Sequence, residues 1–433
     1  MAADTIFASG FKPLPFWWED FAPTTEGSTA PPDSADVVVV GSGYGGLSAA
    51  LELKRSGVDA IVLEAEKFGQ GASTRNGGAI SGGVNVGKGI SGREQAALEM
   101  LSDGAESMRH LETIIAREAI DCRYRHAGRF VGAWTPDHYD ALAKKVETLN
   151  QNTDSGARMV PRERQREEIG SDFYYGGMVV ERAAQLHPAL YYKGLLAAVR
   201  RAGVRMSAGI KVERIRREAD GFAVETSQGP IRARHVAIAT NGYTGEATPQ
   251  LRRRLVPVAS HIIATEELPE DLAHGLNPKW RSLSNTCRIL CYYRLSPDGR
   301  RMIFGGRARF TPVDPTVSSR ILHRFMTDRF PQLKGVKLTH AWNGNVAFTF
   351  DGAPHMGVMD GLHYALGCNG SGVAMLSYLG YQTARKIVGG SNRVCAFDRA
   401  EFPTAPFYTG NPWFLPIVGG WYRLRDRWER WRA

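Results

Sequence analysis

The sequence predicts an α/β protein in which a mostly parallel, helix-covered sheet is joined to a second α+β domain with an antiparallel sheet. The first part is predicted by three observations near the amino terminus. Residues 36–40 are a short, β-branched apolar run, as expected of a strand buried on both faces. A glycine-rich turn and an apolar helix, predicted over residues 47–56, follow, and a second apolar run, Ala60–Leu63, stops at Glu64. This order is typical of a βαβ unit.

The glycines of the turn predict a dinucleotide-binding domain of the Rossmann type, which binds FAD or NAD(P). They occur in G-x-G-x-x-G order. Gly41 would permit the tight turn, Gly43 would let a pyrophosphate approach the backbone, and Gly46 would let the helix lie close on the sheet. Gly45, inside the motif, belongs to the same predicted site. Glu64, about 20 residues further on, would hydrogen-bond the ribose of the adenosine half.

Residues 69–78 indicate which dinucleotide is bound. The segment, GQGASTRNGG, is rich in backbone N–H groups and carries one cation, which suits a loop along a pyrophosphate and ribityl chain. It resembles the G-x-S-x-R-N-x-G stretch of the FAD-dependent oxidases of the D-amino-acid oxidase (DAO) superfamily, most closely the γ-glutamylputrescine oxidase-like and sarcosine oxidase-like branch. The resemblance implies FAD as cofactor. The residues that it assigns to FAD here are Ala72, Ser73, Arg75, Asn76 and Gly77.

The resemblance recurs along nearly the whole chain. Residues 185–188 look like the family's return to the FAD domain, and residues 364–373 look like its carboxyl-terminal flavin motif. In that motif a glycine-rich turn opens a helix towards the flavin edge on which negative charge gathers during reduction. The further FAD contacts that the resemblance implies are Val212, Asn241, Gly242, Gly344, Gly370, Ser371, Gly372 and Val373.

These blocks divide the chain into interleaved parts. The insertions between them would combine into a substrate domain, with strands at 256–265, 288–295 and 302–306 and a hairpin turn at Asp298-Gly299. The predicted parts are an N-terminal strap at 1–33, a discontinuous FAD domain at 34–90, 180–255 and 335–392, a substrate domain at 91–179 and 256–334, and a C-terminal extension at 393–433.

Composition agrees with an enzyme of two domains. The chain has 433 residues, 43% of them hydrophobic and 23% charged, which suffices for sizeable cores. It contains no run of 18 uninterrupted apolar residues, and its start lacks a basic flank followed by an apolar core. We therefore expect neither a transmembrane span nor a secretory signal, and we expect a cytoplasmic location.

The five cysteines show no metal-binding spacing. We expect reduced thiols and no metal site. Some relatives of the family attach flavin through a cysteine, which draws attention to Cys287, Cys291 and Cys368. None of the three lies in a pattern that matches such a linkage, and a buried, inert thiol is the favoured interpretation of each. Covalent and non-covalent FAD both stay open.

Substrate contacts are predicted from residue types on the substrate-domain strands. Aromatic walls and one cation suit an amine that bears a remote carboxylate, and flavin amine oxidation needs mainly orientation of the substrate. Each candidate taken singly also fits a structural role. The candidates are His261, Tyr292, Tyr293, Arg294 and Arg307, and the predicted catalytic residues are His261, Tyr292 and Arg294.

The predicted function is FAD-dependent oxidation of an amine or amino acid at its C–N bond. The products would be an imine, then a carbonyl compound and, with O₂, hydrogen peroxide. One alternative is a dehydrogenase that passes electrons to a quinone or carrier protein at the membrane surface. Another is a flavin-fold assembly or modification partner without turnover. The substrate and the oligomeric state are not encoded in any readable pattern.

The carboxyl terminus is basic and aromatic. The whole chain carries a formal charge of +10, and residues 421–432 place Trp421, Leu424, Trp428 and Trp431 at helical spacing among arginines. Such a helix docks on the protein body, lies on anionic lipid as a peripheral membrane contact, or binds a partner. Nothing in the chain resembles a nucleic-acid-binding module, so no nucleic-acid partner is expected.

Overall fold

The computed structural model describes residues 6–83, 94–390, 395–399 and 401–433. The strands are β1 Phe7–Lys12, β2 Ser34–Val40, β3 Ala60–Glu64, β4 Ala79–Ile80, β5 Arg129–Gly132, β6 Ala157–Val160, β7 Gly177–Val180, β8 Ala184–Gln185, β9 Arg205–Ala208, β10 Val212–Glu218, β11 Gly221–Thr226, β12 Gly229–Ile238, β13 Val256–Thr265, β14 Ser282–Asn285, β15 Cys291–Leu295, β16 Met302–Gly306, β17 Leu338–Phe348, β18 His355–Met359 and β19 Leu362–Leu366. The α-helices are α1 Tyr44–Arg55, α2 Glu94–Arg117, α3 Pro136–Asn152, α4 Pro188–Arg201, α5 Pro249–Arg252, α6 Glu270–Leu276, α7 Pro315–Arg329, α8 Gly372–Ile387 and α9 Leu415–Arg432.

An eight-stranded sheet carries the dinucleotide motif. Its main path is β10-β11-β12-β2-β3-β9, with β19 paired to β12 and β18 paired to β19. Strands β12, β2, β3 and β9 are parallel, and Val37, Val38 and Val39 of β2 are fully buried, as expected of a strand covered on both faces. Helices α1, α4 and α8 share one apolar core. This sheet confirms the predicted α/β fold class.

The second sheet has nine strands in the order β1-β17-β13-β16-β15-β14-β5-β7-β6. Its pairings are antiparallel except for β1 with β17 and β14 with β5. Strands β13 and β16 have the bounds that the sequence predicts, whereas β15 begins at Cys291, later than the predicted start at residue 288. The β15–β16 connection turns at Gly299, which has a φ of 78°.

Strand register aligns one row of residues across the nine-stranded sheet. The row consists of Ile262, Gly305, Tyr292, Ser284, Val131 and Met178. Because alternate residues of a strand point to the same side, the row marks one face of the sheet. We call this face the substrate wall.

The amino-terminal segment packs on the body of the protein. Strand β1 pairs with β17, and Trp17 is fully buried. The indole N–H of Trp17 donates to the carbonyl oxygen of Asn76 at 2.8 Å, and that of Trp18 donates to Thr74 Oγ1 at 2.9 Å. The segment therefore acts as a strap on the predicted FAD loop.

A buried carboxylate, Glu168, connects β6 with the segment that precedes β14 in the nine-stranded sheet. Its side chain is 1% exposed and accepts hydrogen bonds from Arg158 at 2.7 Å, from Lys279 at 2.8 Å and from Arg281. Burial acts to raise the pKa of Glu168, but these hydrogen bonds outweigh it and hold the pKa below its ordinary value. Arg281 immediately precedes β14, so the cluster fixes the start of that strand.

Helix α9 docks on the body through one face. Asp426 is buried and accepts hydrogen bonds from the backbone N–H of Arg288 at 3.1 Å and of Ile289 at 2.9 Å. The indole of Trp134 donates to the carbonyl oxygen of Asp426 at 3.0 Å. Docking on the protein body, one of the three alternatives for this helix, is therefore present. None of the described helices is long and apolar enough to cross a membrane.

Candidate active site

A cavity of about 1780 Å³ lies between the two sheets. One side is formed by the carboxyl ends of β2, β3 and β12, represented by Val40, Leu63 and Ile238. The opposite side is the substrate wall, which contributes every residue of its row except Gly305. The carboxyl ends of parallel strands are where open α/β sheets bind their ligands.

The glycine turn opens onto this cavity. Gly41 has a φ of 100°, which favours glycine, and the turn carries the chain from β2 into α1. A Cβ at Gly43 would have one neighbour within 4 Å, Ser73 Oγ at 3.2 Å, and Gly43 lines the cavity. A Cβ at Gly46 would overlap the carbonyl oxygen of Gly41, and Gly46 does not line the cavity. Gly46 therefore serves the packing of the turn and Gly43 serves the approach of a ligand.

Two helices begin at the cavity. Helix α1 begins at Tyr44, three residues earlier than the sequence predicts, and helix α8 begins at Gly372. The two helices cross closely, and glycine at position 380 permits this contact, since a Cβ there would overlap the carbonyl oxygen of Gly45. Free N–H groups and the positive end of the helix dipole favour anions at both positions.

Glu64 ends β3 at the edge of the cavity, as predicted. Its Oε2 accepts hydrogen bonds from the backbone N–H of Ser42 at 3.1 Å and from the Ser42 hydroxyl at 2.6 Å. Its Oε1 accepts from the backbone N–H of Glu66 at 3.1 Å. The carboxylate is thus held at the motif by neutral donors and keeps acceptor capacity for ribose hydroxyls.

The predicted FAD loop is locked from inside and from outside. Asn76 Nδ2 donates to the carbonyl oxygen of Ser73 at 2.9 Å, and Asn76 Oδ1 accepts from the N–H of Gly78 at 2.9 Å. The indole of Trp342 donates to the carbonyl oxygen of Arg75 at 2.7 Å. With Trp17 and Trp18, three indoles support this loop, which the sequence pattern did not predict.

Arg75 is a cation without a carboxylate among its described partners. Its Nε donates to the carbonyl oxygen of Gln70 at 2.8 Å, and its Nη1 donates to that of Asn343 at 3.2 Å. Burial lowers the pKa of its guanidinium. Arg75 lines the cavity, so its charge is available to an anionic ligand.

Two further turns meet at the far end of the cavity. Asn241 Oδ1 accepts a hydrogen bond from the N–H of Gly367 at 2.9 Å, and Asn241 Nδ2 donates to Cys368 Sγ at 3.3 Å. Gly370 has a φ of 91°, and a Cβ there would face open space. The other residues that the resemblance implies for this region also line the cavity: Val212, Gly242, Gly344, Ser371, Gly372 and Val373.

The cysteines of the described chain are unpaired, buried thiols. Cys287 and Cys368 line the cavity, and burial raises the pKa of both thiols. Raised pKa values disfavour the nucleophilic thiolate. Among the described residues, no cluster of His, Cys, Asp or Glu could hold a metal ion.

The three predicted catalytic residues have different positions. Tyr292 lies on the substrate wall, where its hydroxyl is 2.8 Å from Ser260 Oγ. A Cβ at Gly77 would lie 2.9 Å from the Tyr292 ring, so this tyrosine joins the FAD loop to the wall. His261 is buried and does not line the cavity, although its neighbours on β13 do, because alternate residues face opposite sides.

Arg294 is also absent from the cavity lining. It is buried, and its Nη1 donates to the carbonyl oxygens of Gly78 at 3.2 Å and Leu186 at 3.0 Å. Desolvation lowers its pKa to about 9. The structure therefore places Arg294 beneath the FAD loop as a support.

Sequence reasoning missed Arg129 and Ser284 on the wall. Arg129 Nε and Nη2 donate to Ser284 Oγ at 3.2 and 2.9 Å, and no carboxylate pairs with it among the described residues. Desolvation lowers the pKa of its guanidinium to about 10. Arg307, a sequence candidate, lines the same wall and lies over the Phe348 ring at 4.9 Å. Arg129 gave no sequence signal, because its partner is 155 positions away.

The arrangement fits FAD. Gly43 leaves room for a pyrophosphate at the start of α1, Glu64 suits the ribose, and the long cavity continues past Arg75 to the start of α8. A second anion-favouring helix terminus at the far end matches a ring that gains negative charge on reduction. Fold and site together define a dinucleotide-dependent oxidoreductase with an attached substrate wall.

Comparison with known proteins identifies the family. Residues 36–386 match the family model DAO, FAD dependent oxidoreductase. The chain is 34% identical over 405 residues to gamma-glutamylputrescine oxidoreductase of Escherichia coli, which covers 91% of this chain and 93% of that protein. It is 31% identical over 429 residues to the probable oxidoreductase OrdL of Rhizobium meliloti, covering 95% and 97%. The chain belongs to the DAO family of FAD-dependent oxidoreductases, as the sequence resemblance predicts.

Solved structures agree with this fold. Glycine oxidase from Geobacillus kaustophilus superimposes with a TM-score of 0.73 at 20% identity, over 87% of this chain and 99% of that one. L-proline dehydrogenase from P. horikoshii superimposes with a TM-score of 0.70 at 18% identity, over 85% and 97%. These structures confirm the fold, and membership of the DAO family makes FAD the cofactor of this enzyme.

Proposed function

We propose that this enzyme oxidises the C–N bond of an amine or amino acid whose far end carries an anionic group. The cofactor, when bound, supplies the two-electron acceptor for this reaction. Relatives and structural neighbours named for a γ-glutamylated amine, glycine and proline support an amine or amino-acid substrate. The proposal that the substrate has an anionic group rests on the positive charge of the substrate wall.

The wall presents cations without carboxylates. The described residues of β5, β13, β14 and β15 that line the cavity include no Asp or Glu. The acids of the lining lie on β3, on β10 and in the segments after β3 and β12, and they are Glu64, Glu66, Glu213 and Glu246. Arg129 and Arg307 contribute guanidiniums whose pKa values burial lowers. A buried cation without a counter-ion is costly, so an anionic substrate group would relieve that cost. The planar guanidinium of Arg129 matches a carboxylate.

Tyr292 would orient the substrate between this cation and the FAD loop. Burial raises the pKa of Tyr292 to about 12, so the phenol is neutral near pH 7. It can accept or donate a hydrogen bond, but it is a poor general base. Its hydrogen bond with Ser260 fixes the ring. The contribution of these side chains is therefore positioning.

We expect Arg129→Met to raise KM about 10- to 100-fold for amines that carry a carboxylate, because one charge-assisted interaction is lost. The measurement compares each carboxylated amine with the same amine lacking the carboxylate. The second compound should show little change, FAD content should stay at the wild-type level, and Arg129→Lys should recover part of the loss. An equal change for both compounds would remove Arg129 from substrate recognition.

We further propose that O₂ is the electron acceptor. The balanced reaction converts R–CH₂–NH₂, O₂ and H₂O into R–CHO, NH₃ and H₂O₂. One hydrogen peroxide per carbonyl product in air supports an oxidase. Slow reoxidation in air with fast reoxidation by a quinone would support the dehydrogenase instead, and no reduction by any amine would support a non-turnover partner.

A cytoplasmic location stays a prediction.

A further inference from the structure

We propose that the outward face of helix α9 binds the surface of an anionic membrane. The proposal rests on surface residues and does not depend on the identity of the substrate. The exposed apolar residues of this face, together with Trp413 just before the helix, are here called the tryptophan stripe, which consists of Trp413, Ile417, Trp421, Leu424, Trp428 and Trp431.

The stripe is an unusual concentration of exposed apolar side chains. Its members are between 46% and 83% exposed. Of the twelve large apolar residues that are exposed in the described part of the chain, six belong to the stripe and a seventh, Phe407, lies nearby in sequence. Single exposed apolar residues are ordinary, whereas a contiguous group of this kind marks a binding surface.

Helical spacing places the stripe on one side of α9. From Ile417 its members follow at steps of four, three, four and three residues, which keeps them on one face of a helix. The opposite face is the docked one, where Asp426 and Gly419 are buried. The side of α9 that faces the protein core is thus the docked one, and the stripe is a separate, solvent-exposed face.

The charged residues of α9 are also divided between its two faces. The two acids of α9, Asp426 and Glu429, both contact Arg288 on the body. The exposed edges of the stripe carry arginines: Arg432 lies over the Trp428 ring at 4.7 Å, and Arg427 is exposed. Apolar residues flanked by arginines, with the acids turned inward, complement a negatively charged lipid surface.

A strained, exposed aromatic residue precedes the helix. Phe407 is 99% exposed and has a φ of 60°, which is costly for a bulky side chain. Its neighbour Tyr408 packs in the same apolar cluster as Leu415 at the start of α9. The fold thus holds an exposed aromatic ring next to a residue that packs with the start of α9, which adds a further apolar group near that end of the helix.

A membrane fits this face better than a protein partner does. Tryptophans with flanking arginines suit the headgroup region, where an apolar body meets a polar boundary. The stripe extends about 21 Å along the helix, in the plane in which an interfacial helix lies. Tyr422, on the docked side, lines the active-site cavity, so membrane binding would bring that cavity close to the lipid.

The test is co-sedimentation of the FAD-loaded protein with vesicles of phosphatidylcholine alone and of phosphatidylcholine with phosphatidylglycerol. We expect binding to the anionic vesicles that weakens with added salt. The combined variant Trp421→Ser, Trp428→Ser, Trp431→Ser should lower the bound-to-free ratio at least tenfold. Arg427→Glu with Arg432→Glu should lower it as well, on anionic vesicles only.

The matched control replaces exposed apolar residues outside the stripe: Leu14→Ser, Val317→Ser and Val358→Ser. It should bind vesicles like the wild type. All variants should keep FAD and the wild-type rate of flavin reduction, which shows that they are folded. Failure of the wild type to bind anionic vesicles, equal binding by the stripe variant, or a stripe-dependent self-association without vesicle binding would overturn the proposal.

Discussion

Replacing Gly43 with valine is expected to give a folded protein that contains no FAD. Gly43 has ordinary backbone angles, φ −67° and ψ −178°, that valine can adopt. Its side chain would extend past Ser73 Oγ into the cavity, where the cofactor pyrophosphate must approach the backbone. We expect the Kd for FAD to rise at least about 100-fold, equivalent to about 2.7 kcal/mol. Flavin absorbance of the purified protein and circular dichroism provide the measurement.

Two other glycines make this result specific. Gly46→Ala should disrupt the turn itself, because the new Cβ would overlap the carbonyl oxygen of Gly41. That variant should lose both FAD and stability. Gly275→Val lies in open space on α6 and should retain FAD. Full flavin content in Gly43→Val would contradict the assignment of the motif to the pyrophosphate.

The largest expected effect on stability is at Glu168. Removing this carboxylate in Glu168→Ala leaves Arg281, whose side chain is 5% exposed, with one of its two ion-pair partners in the described part of the chain, Glu181. We expect a loss of about 3 to 5 kcal/mol in the free energy of unfolding. Chemical denaturation of the FAD-loaded protein measures it. Glu167→Ala, which breaks the exposed pair with Arg164, is the control and should be close to wild type.

The same carboxylate predicts a dependence on pH. Folding lowers the pKa of Glu168 below its ordinary 4.5, so its stabilisation is complete above that value and is lost as the pH falls through the folded pKa. The wild type should therefore lose stability on acidification below about pH 5, and Glu168→Gln should lose less over the same interval. An identical acid dependence in both proteins would show that Glu168 is not the group involved.

The dinucleotide half was predictable because its signals are local. The strand, the glycine turn and Glu64 occur within 29 consecutive residues, and each has one structural role that the others confirm. Strand β13 was predictable for a similar local reason, since five of its ten residues are β-branched. The later start predicted for α1 overlooked that Gly43 caps the helix, which lets it begin at Tyr44.

The substrate half depended on facts that a sequence does not display. A strand pattern does not state which of its two faces meets a ligand when both are buried. The sequence analysis therefore selected His261, which does not line the cavity, and passed over its neighbour Ser260, which does. Arg294 shares a strand with Tyr292, yet the FAD loop covers it. Arg129 and Ser284 meet only through the parallel pairing of β5 and β14, which connects distant segments. The helical spacing of the apolar residues in α9 was predictable, whereas the docking of the opposite face through Asp426 was not.

The most direct test of the proposed chemistry is anaerobic addition of amines to the purified yellow protein. We predict that amines or amino acids bearing a second anionic group bleach the flavin absorbance, while the same amines without that group do so only at much higher concentration. Subsequent air should restore the colour with release of hydrogen peroxide. A protein that takes up no FAD, or whose flavin no amine or amino acid reduces, would contradict the account.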